Sequence, residues 1–190
     1  INHLEGLVNL ANDHQVENVF VHAFTDGRDV DPKSGKDFIA RTETFCRKAN
    51  AKLATITGRY YAMDRDKRWE RVQLAYNALV HGKGTLSTNA TQSIQESYDA
   101  DVTDEFIKPI VMTDSNNETI AKIKADDVVI LLNFRTDRGR ELTQALSQKA
   151  FDAQGMTPLD LHYVTLTNYD SSFHNVQVIF DKDNVTLGST

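Results

Sequence analysis

Arginine and aspartate residues recur at three places in this 190-residue chain, each directly after an apolar, β-branched run. These places are residues 25–29, 58–69 and 133–140. Eight of the ten arginines lie in them or in the first helical turn that follows. A guanidinium group can bind phosphate or carboxylate oxygens through two parallel hydrogen bonds. The pattern therefore predicts a binding site for a small polyanion.

Six residues of these loops form the candidate site. They are Arg28, Asp29, Arg59, Arg65, Arg135 and Arg138. Asp29 is the candidate general base, because surrounding positive charge favours the carboxylate form. A turn aspartate bonded to its own backbone is the alternative for this residue. Any single arginine is also compatible with simple pairing to Asp64 or Asp137, so the hypothesis rests on the repetition at three strand ends.

The elements that would position these loops begin in a β-α-β-α order. Apolar runs at 19–24, 52–57 and 128–132 predict three strands, and residues at helical spacing follow each of them. The helix after the first strand would begin at Ser34, a residue type that caps helices. Parallel strands joined by right-handed crossovers bring their carboxyl ends to one edge of a sheet. We therefore expect all three loops to face one cleft.

The rest of the chain completes the predicted fold. Residues 4–11 predict a helix, 161–166 a fourth strand and 176–180 a short last strand. Residues 109–123 predict a β-hairpin beside the sheet. The prediction is an α/β protein: a three-layer α/β/α sandwich with a mainly parallel mixed sheet, forming a single domain over residues 1–190.

Composition limits the classes of function. A net charge of −6 and a pI near 5.5 argue against a general nucleic-acid binder. No apolar run approaches the roughly 20 residues of a membrane span. The single cysteine, Cys46, excludes an intramolecular disulfide and fits a reducing cytoplasm. The six histidines show no metal-ligand spacing, so no metal site is predicted in this chain.

Long stretches of the sequence are similar to those of one family. They are residues 22–29, 57–69, 104–109, 133–138 and 167–170. These segments resemble cofactor-independent (2,3-bisphosphoglycerate-independent) phosphoglycerate mutases, and the resemblance covers nearly the whole chain. The family interconverts 3-phosphoglycerate and 2-phosphoglycerate in glycolysis. The resemblance thus implies a cytoplasmic isomerase.

The resemblance also implies how the parent enzyme is organised. One domain, similar to alkaline phosphatases, holds two manganese ions and a serine that becomes phosphorylated. A second domain, inserted into the first, binds the substrate, and this chain resembles that domain alone. Its start without methionine and its unterminated end at 186–190 fit a piece of a longer protein. The implied partners are the two phosphoglycerates and the metal-bearing domain, with neither nucleic acid nor membrane, and the piece alone is expected to be inactive.

Residue roles follow from the same resemblance. Arg28, Asp29, Arg59, Arg65, Arg135 and Arg138 correspond to substrate-binding residues, and Asp29 to the group that carries a proton between the two hydroxyls. Arg68 and Arg140 match no such role and are interpreted as helix charges. The loop arginines should repel one another in an empty cleft and add little to folding. Replacing Arg59 or Arg135 by alanine is therefore predicted to leave stability almost unchanged.

Two other classes of function stay open at this point. A nucleotide- or nucleic-acid-binding module would also use arginines and aromatic side chains, and salt-dependent oligonucleotide binding would favour it. A purely structural domain is the second alternative. A sulfate or phosphate ion bound between the three loops would argue against that alternative.

Overall fold

Seven strands form the framework of the computed structural model, which describes residues 1–180. They are β1 Val19–Thr25, β2 Ala51–Gly58, β3 Thr85–Ser87, β4 Ile110–Met112, β5 Val128–Leu131, β6 His162–Thr165 and β7 Val176–Val178. The first sheet has the order β1-β2-β4-β3, and the second the order β5-β6-β7. Every pairing is parallel except that of β2 with β4. The predicted α/β class with mainly parallel strands is confirmed.

Helices connect and cover these strands. Within the described part of the chain they are α1 Asn2–Asp13, α2 Gly35–Lys48, α3 Arg59–Ala62, α4 Trp69–His81, α5 Ala90–Asp99 and α6 Thr136–Thr143. A π-helical segment, Gln144–Gln148, continues α6, and 3-10 turns lie at Asp104–Phe106 and Asp152–Gln154. None of the helices in residues 1–180 combines the length and the apolar character needed to cross a membrane.

The strands divide between two sheets, where the sequence predicted one. β1 and β2 pair in parallel along their length, as expected, but β5 hydrogen bonds to β6. Apolar alternation shows which face of a strand is buried and does not identify the neighbouring strand. The number of sheets was therefore beyond what the sequence pattern specifies.

The predicted hairpin at 109–123 forms only in part. Its first arm, β4, is fully buried and inserts into the first sheet between β2 and β3. The second arm contributes a single antiparallel bridge, between Thr113 and Thr119. The turn is closed through Asp114, whose Oδ1 accepts the N–H groups of Asn116 and Glu118. For β4, burial inside the first sheet therefore stabilises more than pairing with the second arm of the hairpin would.

Two apolar clusters support the ends of the strands. One lies between β1, β2, α2 and α5 and includes Ile39, Ile56 and Ile94. The other lies under α4 and α6 and includes Tyr76 and Tyr163. The assignment of residues 1–190 to a single domain stays a prediction. Residues 181–190, which include the predicted unterminated end at 186–190, lie outside the described residues.

Candidate anion-binding site

The carboxyl ends of β1, β2 and β5 lie next to one another, although β5 belongs to the second sheet. Arg59 Nη1 lies 2.8 Å from Asp29 Oδ2, and Arg135 Nη1 lies 3.9 Å from the same oxygen. Arg65 Nη1 lies 2.9 Å from Asp137 Oδ2. These ion pairs connect all three loops. The structure thus brings the predicted site residues together, from loops separated by more than a hundred positions.

A cleft of about 390 Å³ lies between the loops. Its lining consists of Arg28, Arg59, Tyr60, Asp64, Arg65, Asp66, Arg71, Glu105, Phe106 and Arg138. Four of the six predicted residues are in this lining. The other two, Asp29 and Arg135, stand at its rim with 59% and 54% of their side chains exposed. Five arginines against three carboxylates give the lining an excess of positive charge.

Arg59, the first residue of α3, is the most deeply placed arginine. Its side chain is 3% exposed, and its Nη1 donates to the carboxylates of Asp26 and Asp29. Asp26 Oδ1 also accepts the N–H groups of Arg28 and Asp29 at 3.1 Å, which shapes the turn after β1. Burial opposes the charge on Arg59, but the bonds to Asp29 and Asp26 outweigh burial and raise its pKa.

The burial of Arg59 corrects the prediction that its replacement would not affect stability. We expect Arg59→Ala to lower the free energy of unfolding by about 2 kcal/mol, because two charge-assisted hydrogen bonds are lost. Arg135→Ala should leave it nearly unchanged, because Arg135 is solvated. Urea unfolding of both variants beside the parent chain measures this difference. Equal losses for the two variants would contradict the structural role of Arg59.

Asp137 reduces the repulsion that the sequence predicted among the loop arginines. Its Oδ2 accepts from Arg135 Nη2 at 3.0 Å and from Arg65 Nη1 at 2.9 Å. The bonds to Arg135 lower the pKa of Asp137 to about 2. Burial opposes this shift in part, and the bond to Arg65 reinforces it. The carboxylate therefore stays ionised and holds two arginines from different loops side by side.

Arg138, in the first turn of α6, is the least compensated arginine of the cleft. Its Nη1 donates to the Met63 carbonyl at 3.0 Å, while its Nε is buried with no partner in residues 1–180. The Nε of Arg59 is in the same situation. Burial lowers the pKa of Arg138, and the charges of Arg59 and Arg65 lower it further. A bound anion in the cleft would offset this positive potential.

Ser34 is the N-cap residue of helix α2, as the sequence predicted, but its side chain makes no capping bond and a distant carboxylate caps the helix instead. The Ser34 hydroxyl donates to the Asp31 carbonyl at 2.8 Å. The N–H of Gly35 instead donates to Asp104 Oδ2 at 2.7 Å, and Tyr98 OH donates to Asp104 Oδ1. Asp104 is completely buried, so these bonds fix the 3-10 turn that it begins.

The same 3-10 turn supports the site from behind. Its Asp104 carbonyl accepts from Thr25 Oγ1 at 2.7 Å, which positions the end of β1. The end of β2 packs so closely against it that a Cβ on Gly58 would lie 2.4 Å from the Glu105 carbonyl oxygen. The Glu105 carboxylate lies 3.6 Å from Arg28 in the cleft. One short turn thus sets the spacing of two arginine loops.

Sequence reasoning missed one side of the cleft. Arg71 was counted with the loop arginines but given no role, and its guanidinium stacks 3.9 Å from the ring centroid of Tyr60. Phe106 packs against the same ring with a centroid distance of 5.1 Å. The spacing of three residues between Arg68 and Arg71, about one helical turn, was the sequence feature that could have placed Arg71 on the same side as the loop arginines. Arg140 donates to the Tyr169 carbonyl at 3.0 Å, which agrees with a structural role.

Residues 1–180 contain no group of three or more His, Cys, Asp or Glu side chains arranged to hold a metal ion. Of the acidic side chains of the cleft, Asp64 is bonded to Arg71 and to backbone N–H groups, and Glu105 pairs with Arg28. Manganese, which the family resemblance places in the parent enzyme, therefore has no fitting site among the described residues.

The structure is a mixed α/β domain with arginine-bearing loops at three strand ends, which line one cleft. Residues 1–171 match the family described as BPG-independent PGAM N-terminus, and the chain belongs to this family. The chain is 57% identical to the 2,3-bisphosphoglycerate-independent phosphoglycerate mutase of Flavobacterium johnsoniae over 97% of its own length. It is 59% identical to that of Flavobacterium psychrophilum over 97%, and 52% identical to that of Bacteroides fragilis over 99%.

The chain spans about a third of the curated relatives it matches, 36% to 37% of their lengths. A crystal structure of Leishmania mexicana phosphoglycerate mutase, solved at low cobalt concentration, has the same fold. The TM-score is 0.82 at 28% sequence identity, and the alignment covers 90% of this chain and 33% of the other. The likeness therefore extends over one part of a larger protein.

Proposed function

We propose that this chain is the substrate-binding domain of a cofactor-independent phosphoglycerate mutase, a cytoplasmic isomerase that interconverts 3-phosphoglycerate and 2-phosphoglycerate in glycolysis. The observation that carries the proposal is the cleft in which Arg28, Arg59, Arg65 and Arg138 converge from three strand ends. A phosphoglycerate has a carboxylate at one end and a phosphate nearby, and arginines bind both groups through paired hydrogen bonds. Family membership of residues 1–171 supports the same function.

In this proposal the arginines hold the glycerate by its carboxylate and bind neither of its two hydroxyls. The guanidinium groups of Arg59 and Arg138 line the cleft and supply the positive charge that an anion would neutralise. Free hydroxyls are required if the glycerate is to reorient and recapture the phosphoryl group at its other oxygen. Asp29, at the exposed rim and 2.8 Å from Arg59, is the proposed proton carrier between those oxygens.

The phosphoryl acceptor belongs to the part of the parent protein outside this chain. By resemblance it is a serine of a metal-bearing, phosphatase-like domain, which takes the phosphoryl group from one hydroxyl and returns it to the other. Such a transfer must avoid water, so the arginine cleft should open toward that domain. Neither nucleic acid nor a membrane enters the proposed function.

The binding role is tested with Arg138→Ala in the full-length protein. We expect the affinity for 3-phosphoglycerate to fall by about 10- to 100-fold, because charge-assisted hydrogen bonds to the anion are lost. Arg140→Ala is the matched control, since Arg140 lies on the same helix, bonds the Tyr169 carbonyl and does not line the cleft. Isothermal titration calorimetry measures both variants and the parent.

This chain by itself is expected to show neither turnover of 3-phosphoglycerate nor stoichiometric manganese. Turnover by the pure chain, or manganese found by metal analysis, would contradict the assignment of the chemistry to another domain. Equal affinities for the Arg138 and Arg140 variants would contradict the cleft as the binding site. Tighter, salt-dependent binding of an oligonucleotide would instead favour the nucleic-acid alternative.

A further inference from the structure

Two buried carboxyl groups lie behind the cleft, where the loop at 63–68 meets α6. Asp64 is 4% exposed and Glu141 is 5% exposed. Asp64 borders the cleft and accepts from the N–H groups of Asp66 and Arg68 and from Arg71 Nη1 at 3.3 Å. Glu141 is outside the lining and has no ion pair among residues 1–180.

Glu141 has few partners for a buried acid. Its Oε1 accepts the Lys67 N–H at 2.8 Å, while its Oε2 is buried with no hydrogen-bond partner among residues 1–180. The Asp64 carboxyl group is its acidic neighbour. Two carboxyl groups in contact away from water do not both stay ionised. Burial, followed by the hydrogen bond and charge of Asp64 and the charge of Asp66, raises the pKa of Glu141 to about 7.

The pair lies where the two sheets contribute to one site. The loop at 63–68 follows the first sheet and carries Arg65, whereas α6 follows β5 of the second sheet and carries Arg138. The Lys67–Glu141 bond and the 3.0 Å bond from Arg138 Nη1 to the Met63 carbonyl join the loop to the helix. The neighbouring carboxyl groups of Asp64 and Glu141 belong to the same two segments, Asp64 to the loop and Glu141 to the helix.

We propose that Glu141 is a positioning residue of the anion site, which in its protonated form binds Asp64 and holds the loop at 63–68 against α6. This contact keeps Arg65 and Arg138 at the spacing that the anion requires. Ionisation of Glu141 places two negative charges in contact behind Arg65, and their repulsion separates the loop from the helix. The identity of the natural anion rests on the proposed function; the positioning role of Glu141 does not.

Inorganic sulfate is the probe for this role, because its charge stays constant over the relevant pH range. The comparison uses the full-length protein and its Glu141→Gln and Glu141→Ala variants. Glutamine reproduces the protonated acid: its amide N–H donates to Asp64 and its oxygen accepts from Lys67. At each pH the sulfate affinity of the parent is divided by that of Glu141→Gln. We expect this ratio to fall by about fivefold or more between about pH 6 and pH 8.5. Glu141→Ala should bind sulfate more weakly than both at the lower pH.

Identical pH profiles for the parent and the glutamine variant would overturn the proposal, as would parent-like binding by the alanine variant. A second readout is the Lys67 backbone amide in protein labelled with 15N-lysine. Its chemical shift should titrate with an apparent pKa near 7 in the parent and stay constant in Glu141→Gln. A flat titration in the parent would also overturn the proposal. Sulfate binding with these profiles but without phosphoglycerate binding would contradict only the proposed function.

Discussion

Asp29→Asn in the full-length protein is expected to lower turnover of phosphoglycerate by about 10²- to 10⁴-fold, the range that a general acid–base contributes. Asparagine keeps the size of the side chain and an oxygen for the bond to Arg59, but it cannot take up or release the proton. The Michaelis constant should change little, because the arginines that hold the anion stay in place. Steady-state kinetics with 3-phosphoglycerate measures both quantities.

Asp26→Asn is the matched control for this experiment. Asp26 bonds the same Arg59 guanidinium, and its Oδ1 accepts the N–H groups of Arg28 and Asp29. The amide oxygen of asparagine can accept the same bonds. Both variants remove one negative charge next to Arg59. A drop in turnover much larger for Asp29→Asn than for Asp26→Asn separates proton transfer from electrostatics. Equal drops would contradict the role of Asp29 as proton carrier.

Asp104→Ala is expected to destabilise the chain more than any loop substitution, by about 3 kcal/mol or more, because it leaves buried donors without acceptors. The fully buried carboxyl group accepts from Tyr98 OH and from the Gly35 N–H that begins α2. Its removal also frees the 3-10 turn on which the ends of β1 and β2 rest. Urea unfolding gives the loss of stability, and titration with 3-phosphoglycerate should show weaker binding.

Asp104→Asn provides the comparison. The amide oxygen accepts the Gly35 N–H, and the amide nitrogen donates to a rotated Tyr98 hydroxyl, so most of the stability should be retained. If Asp104→Ala were as stable as Asp104→Asn, the hydrogen bonds to Asp104 would not be what holds the turn. If it were unstable but bound phosphoglycerate normally, the turn would stabilise the fold without positioning the loops.

The sequence by itself determined the local elements and the position of the charged loops. The apolar runs at 19–24, 52–57 and 128–132 became β1, β2 and β5 with no end shifted by more than one residue. Periodicity and turn residues act over short stretches of chain, so these elements can be predicted without a structure. Three arginine loops at strand ends then predicted one anion-binding cleft, and the structure brings them together.

Tertiary structure alone decided how those loops are held. The bond from Gly35 to Asp104 spans 69 positions, that from Lys67 to Glu141 spans 74, and that from Thr25 to Asp104 spans 79. The burial of Arg59 and the division of the strands between two sheets also result from packing between distant segments. A sequence pattern reports the preferences of neighbouring residues, whereas the state of a buried charge depends on groups that only the fold brings near it.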